Sequence, residues 1–128
     1  MGLHYIFIAD DIGIASIFPT LKIRLAESAD QHVSLLYFSE NKHPVFQKEL
    51  LILQRHFPNQ LFVRYIFKEF AGITVLPKEE IEAVLNANTK QRMDFILSGN
   101  RAFTNELKDL LTFLNIKTIQ IQEQFFTE

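Results

Sequence analysis

The sequence predicts an α/β domain in which a doubly wound, five-stranded parallel sheet is covered by helices on both faces. Three observations carry this. Short apolar runs rich in β-formers alternate with segments of helical spacing along the whole chain. The connections are too long for hairpins, so successive strands run parallel through βαβ units. Strands 1 to 4 are continuous apolar runs rather than alternating ones, as expected where both faces of a sheet are buried.

Tyr5-Ile6-Phe7-Ile8 is the first strand; after Ala9-Asp10-Asp11 the apolar residues Ile14, Ile17, Phe18, Leu21 and Leu25 follow at helical spacing. Pro19 is tolerable only in a first turn, which places the helix start near Ser16, a good N-cap type. Val33–Phe38 is the second strand, Ser39–His43 a polar turn, and a helix from about Pro44 to His56 buries Phe46, Leu50 and Leu53 before Phe57-Pro58-Asn59 ends it. Leu61–Phe67 is the third strand. Pro77-Lys78-Glu79-Glu80-Ile81 carries the proline and early acids of a helix start, with Ile81, Val84 and Leu85 as its apolar stripe. Asn86–Thr89 breaks to the fourth strand, Asp94–Leu97. Beyond Ser98-Gly99-Asn100, a helix places Phe103, Leu107, Leu110, Leu111 and Leu114 on one face and stops at Asn115; Thr118–Ile121 is the last strand.

Composition bounds the function. The 128 residues are 48% hydrophobic and 22% charged, with Lys+Arg 13 against Asp+Glu 15 and no cysteine. This describes one compact soluble domain, residues 1–128, long enough for a core that needs no disulfide or structural metal. The lack of cysteine excludes a disulfide scaffold, a thiolate iron–sulfur cluster and a Cys-type zinc site. A net charge of −2 argues against the basic face that nucleic-acid binding requires. No apolar run approaches a bilayer span and no leader pattern is present, so a cytoplasmic protein without membrane or nucleic-acid partners is expected.

In a doubly wound sheet, ligands bind outside the carboxyl ends of the strands where strand order reverses. The candidate loops are Ala9–Ser16 after strand 1 and Ser98–Arg101 after strand 4. Each carries one of the chain's four glycines, Gly13 and Gly99. Glycine there permits close backbone approach to a ligand, and a helix start offers unpaired amides to an anion; a tight strand-to-helix turn needs glycine equally, and both readings stay open.

These residues resemble a known family. Phe7-Ile8-Ala9, a turn, Ile12-Gly13-Ile14 and an amphipathic helix resemble the Gly-Gly-x-Gly-Ile-(Thr/Ala)-Pro segment opening the pyridine-nucleotide domain of the ferredoxin–NADP⁺ reductase superfamily. Leu36-Tyr37-Phe38 and Phe46-Gln47-Lys48-Glu49-Leu50 resemble its second strand and the following helix. Phe95-Ile96-Leu97-Ser98-Gly99-Asn100 resembles its Cys-Gly-Pro segment, and Glu123-Gln124-Phe125 its Glu-x-Phe. The resemblance implies strand order 3-2-1-4-5 and hydride transfer between NAD(P)H and a flavin held elsewhere. It sets Asp10, Asp11, Gly13, Ile14, Ala15 and Ser16 at the pyrophosphate, Ser98, Gly99 and Asn100 beside the nicotinamide, and Phe125 toward the flavin. No catalytic residue is implied, because the cofactors carry the chemistry.

The departures fall on the functional positions. Asp10-Asp11 replaces the paired glycines, Ser16 the proline, Ser98 the cysteine and Asn100 the second proline. The turn Ser39-Glu40-Asn41 lacks the arginine that grips an adenosine phosphate, and Lys42 has no guanidinium fork to replace it, so NAD is favoured over NADP. Carboxylates at the pyrophosphate imply that NAD is held weakly or no longer held. The family's flavin barrel precedes this domain, whereas here strand 1 begins near Met1. FAD is therefore expected only through a separate or upstream flavin-binding domain, as a partner in cis or in trans, and the chain alone is not expected to be an active reductase. A homodimer is also compatible. The alternative is a non-catalytic interaction module that keeps the fold without binding nucleotide.

Asp10-Asp11 also resembles the Mg²⁺-holding acidic pair of response-regulator receiver domains, but Tyr65-Ile66-Phe67-Lys68 supplies no phosphoryl-accepting aspartate. The favoured reading is two solvated turn carboxylates, with Asp11 facing a helix start. His4, His32, His43 and His56 are too scattered for a metal site and read as surface or loop residues. No Ser-His-Asp or Cys-His set is legible, and Phe125 and Phe126 read as a tail beyond the last strand.

Overall fold

The computed structural model describes residues 2–67, 78–90, 92–117 and 121–126, the last three of these as backbone. The elements are β1 (Leu3–Ala9), α1 (Ile14–Glu27), β2 (His32–Ser39), α2 (Gln47–His56), β3 (Leu61–Phe67), α3 (Lys78–Ala87), β4 (Arg92–Asn100), α4 (Arg101–Phe113) and β5 (Ile121–Phe126). The five strands form one parallel sheet in the order β3-β2-β1-β4-β5. Alternate residues of the inner strands feed two cores. Phe7, Ala9, Leu35 and Tyr37 pack with Ile14, Ile17, Leu21 and Leu25 of α1 and Leu50 of α2. Ile6, Ile8, Leu36, Phe95 and Leu97 pack on the other face with Ile81 of α3 and Phe103, Leu107 and Leu111 of α4. Each fully buried side chain of this size contributes about 1.5–3 kcal/mol, so the sheet is clamped from both faces.

Several boundaries differ from those read in the sequence. Helix α1 begins at Ile14, which sets Pro19 at its sixth position rather than in the first turn. The donor that proline withholds from the Ala15 carbonyl is lost on the exposed side of the helix, since Ala15 and Pro19 are both exposed and water can replace it. Phe46 stands outside α2 with φ 69, and its ring stacks on Phe18 at 4.5 Å. Left-handed backbone costs a non-glycine residue roughly 1–2 kcal/mol, which this contact offsets. Strand β3 is an edge: Phe62 and Phe67 are half exposed, and Arg64 between them is exposed as well. Strand β4 runs on to Asn100 and meets α4 without a loop, because Gly99 and Asn100 pair with Phe125 and Phe126 of β5. The last two are therefore strand residues, not a tail. Pro77 and residues 118–120 lie outside the described residues.

Two helix ends follow the sequence closely. The Asn100 side chain caps α4 by accepting from the Ala102 N–H at 2.8 Å. Asn115, with φ 69, closes the same helix as its amide bonds Thr112 O and Ile116 N bonds Leu111 O.

Candidate functional site

Strand order reverses between β1 and β4, and Ala9 stands opposite Ser98 where the two strands end. The crevice there is built around the Asp10 carboxylate, which is only 7% exposed. Its Oδ1 accepts from the amides of Ile12 (2.9 Å) and Gly13 (2.8 Å), and its Oδ2 from the amide of Asn100 (2.9 Å). Gly13 and Asn100 are the N-cap residues of α1 and α4, so the positive ends of two helix dipoles converge on one carboxylate. Asp10 also donates its own amide to Ser98 O and accepts from Ile14 N.

Both glycines serve this packing. A Cβ on Gly99 would lie 2.6 Å from the Asp10 carboxyl atoms, and one on Gly13 would lie 2.1 Å from Ser98 O. Gly13 has φ −83, so spacing rather than backbone conformation demands glycine there. The seam is closed by hydroxyls: Ser16 Oγ and Ser98 Oγ stand 2.8 Å apart, and both reach the Gly13 carbonyl, at 3.0 and 3.1 Å. Ile14 is buried beneath the turn and Ala15 is exposed beside it. Phe125 stands opposite Gly99 in β5.

Asp11 does for the neighbouring turn what Asp10 does for the crevice. Its Oδ1 accepts from Ser39 Oγ at 2.6 Å and its Oδ2 from the Glu40 amide at 2.9 Å, joining the carboxyl ends of β1 and β2. Burial, and then the Asp11 charge, push the Tyr37 phenol above its ordinary range. The reading of both acids as solvated turn residues is therefore corrected: Asp10 is buried, and each carboxylate bridges two segments of backbone.

The pyrophosphate of a dinucleotide would use amides at these helix starts. Here they are held by charge-assisted bonds worth about 1.5–3 kcal/mol each. A ligand anion taking them over would leave the Asp10 carboxylate beside itself.

The sequence reading missed a second cluster, at the amino ends of the strands. His4, placed above among surface or loop residues, is buried in β1; its Nε2 lies 2.8 Å from Ser34 Oγ and its Nδ1 3.0 Å from Asn88 Oδ1. The signal was present as polar residues interrupting apolar strands, but the partners are 30 and 84 residues away in sequence. Burial lowers His4 below its ordinary value of 6.5, with the charges of His32 and Lys90 acting in the same direction, and outweighs the Asn88 hydrogen bond. The folded chain thus binds this proton more weakly than the unfolded chain. The associated stability is complete above about pH 6.5 and is lost as pH falls through the lowered value. The denaturation midpoint in urea is expected to drop between pH 7.5 and 5.5, and to drop less in His4→Gln; an equal drop in both proteins would remove His4 as the cause.

No family model matches the sequence, and no curated protein matches it. Solved structures do match its fold. The CS-b5R domains of human Ncb5or in the NAD⁺ form align with TM-score 0.79 and 16% identity over 94% of this chain and 36% of that one. Flavohemoglobin from Malassezia yamatoensis, with bound FAD and heme, gives 0.78 and 16% over 98% and 32%. Ferredoxin-NADP⁺ reductase from Plasmodium falciparum gives 0.75 and 16% over 97% and 53%. The chain therefore has the fold of the NAD(P)-binding domain of ferredoxin reductase-like structures, with the expected strand order, and spans from about a third to half of the structures it matches. Among the described residues, no helix is long and apolar enough to cross a membrane.

Proposed function

We propose that this chain is the pyridine-nucleotide-type domain of a flavin-dependent oxidoreductase assembly in which the phosphate loop is closed by the chain's own carboxylates. In this reading residues 1–128 form a single domain that docks onto a flavin-binding domain, in cis or in trans, as an interaction module, and free NAD(P)H is not held. One observation carries the proposal: the Asp10 carboxylate takes the amides of Ile12, Gly13 and Asn100, two of which are helix N-caps. Asp11 supports it by engaging Ser39 and Glu40 in the turn where an adenosine phosphate would be read.

A second reading is favoured by the human structure in its NAD⁺ form and the Malassezia structure with FAD. In it the site still binds NADH through Gly13, Ile14, Ala15 and Ser16, sets the nicotinamide beside Ser98 and Asn100, and passes hydride to a flavin near Phe125. Protein would supply orientation and the cofactors the transfer. Fluorescence titration with NADH and NADPH separates the two. The closed-loop proposal expects a colourless protein, no diaphorase activity and no saturation by either nucleotide up to about 1 mM, a limit near −4 kcal/mol. Saturable binding that favours NADH, as the arginine-free turn requires, would establish the second reading instead.

A further inference from the structure

We propose that the groove between α3 and the β2–β3 edge of the sheet is a binding site for a small uncharged aromatic molecule that carries one N–H or O–H donor. The groove encloses about 510 Å³, within the usual range for small-molecule sites. Its polar floor, at His4, lies near the amino ends of the strands, six residues or about 20 Å along β1 from Asp10, so that floor stands apart from the function proposed above.

Its walls are apolar: Leu36 and Phe62 from the sheet, Ala83, Val84 and Ala87 from α3. Among the described lining residues the one arginine, Arg64, is held in a two-pronged pair with Glu80 at 2.7 and 2.9 Å, and the exposed Glu79 nearby disfavours an anion. Three rings stand edge to face in a row, with centroids 5.9 Å apart from His4 to His32 and 5.9 Å from His32 to Phe62. The half-exposed Phe62 face is where a planar molecule can lie.

The floor specifies the polar group. The Asn88 amide is oriented by the bond from its Nδ2 to Lys90 O (2.8 Å) and by the Lys90 amide donating to its Oδ1 (3.1 Å). His4 Nδ1 must therefore donate to that oxygen, and a neutral His4 accepts at Nε2 from the Ser34 hydroxyl. Burial lowers both His4 and His32, which keeps both rings uncharged near neutrality. With its proton committed to His4, Ser34 Oγ presents only lone pairs to the groove, and their complement is a donor.

Indole and 1-methylindole, which differ in that donor, test the proposal by amide NMR titration of the full chain. Indole is expected to give saturable shifts at Ser34, Leu36 and Val84 and to bind at least fivefold tighter than 1-methylindole. Ser34→Ala should erase that difference. Ala83→Trp, an exposed helix position that fills the groove without touching the core, should abolish binding of both. Absence of saturable indole shifts in the wild type, equal affinity for the two probes, or unchanged binding by Ala83→Trp would each overturn it.

Discussion

Gly13→Ala is expected to cost at least ~3 kcal/mol, lowering the melting temperature by roughly 10 °C or more, in a chain whose sequence at that position suggests only a permissive turn. The added Cβ would meet Ser98 O at 2.1 Å, Ser98 C at 2.2 Å and Gly99 N at 2.6 Å. All three are backbone atoms of β4, itself fixed between β1 and β5, so no side chain can swing aside to relieve the collision. Parting the strands would also break the contacts of Ser98 Oγ with the Gly13 carbonyl and with Ser16 Oγ. Thermal unfolding followed by circular dichroism measures the effect. A melting temperature within two or three degrees of the wild type, roughly the scatter of a neutral surface change, would mean that the β1 and β4 ends are not in this contact.

Asp10→Gly is expected to lower stability and raise nucleotide affinity together, a pairing that a solvated turn residue could not produce. Removal of the carboxylate leaves the amides of Ile12, Gly13 and Asn100 without their acceptor. Unsatisfied buried donors cost about 1–3 kcal/mol each, but Ile12 is exposed and water can serve it, so a net loss of about 2–4 kcal/mol is expected. The space opened lies beside Gly99, where no Cβ intrudes, and three amides then face it at the starts of two helices. That is an anion cradle. Asp10→Asn is the milder control: its one oxygen can serve Ile12 and Gly13, but its Nδ2 would confront the Asn100 amide donor to donor. Stability should fall there by about 1–3 kcal/mol without a comparable gain for an anion.

The fold was legible because it rests on short-range signals: apolar runs, helical spacing, the Glu79 and Glu80 acids of the α3 start and the Asn115 stop all act within one element. The errors arose where tertiary pairing overrules composition. Ser98-Gly99-Asn100 reads as a loop, yet its backbone is laddered to β5, and Phe125 and Phe126 become strand residues for the same reason. The preference of Pro19 for a first turn points to a start near Ser16, whereas the tight Gly13–Ser98 approach fixes where α1 begins. The acids were the hardest to read. Asp10 is defined by an amide 90 residues away and Asp11 by one 29 residues away, and nothing local distinguishes such a bridging carboxylate from a solvated one.

NADH fluorescence titration of the wild type and Asp10→Gly at matched ionic strength, with Asp10→Asn beside them, measures most directly whether the chain's own carboxylate occupies the nucleotide's place. The closed-loop account predicts no saturation in the wild type and at least a tenfold gain in Asp10→Gly, equivalent to about 1.4 kcal/mol or more. Micromolar binding by the wild type that a folded Asp10→Gly leaves unchanged would contradict it.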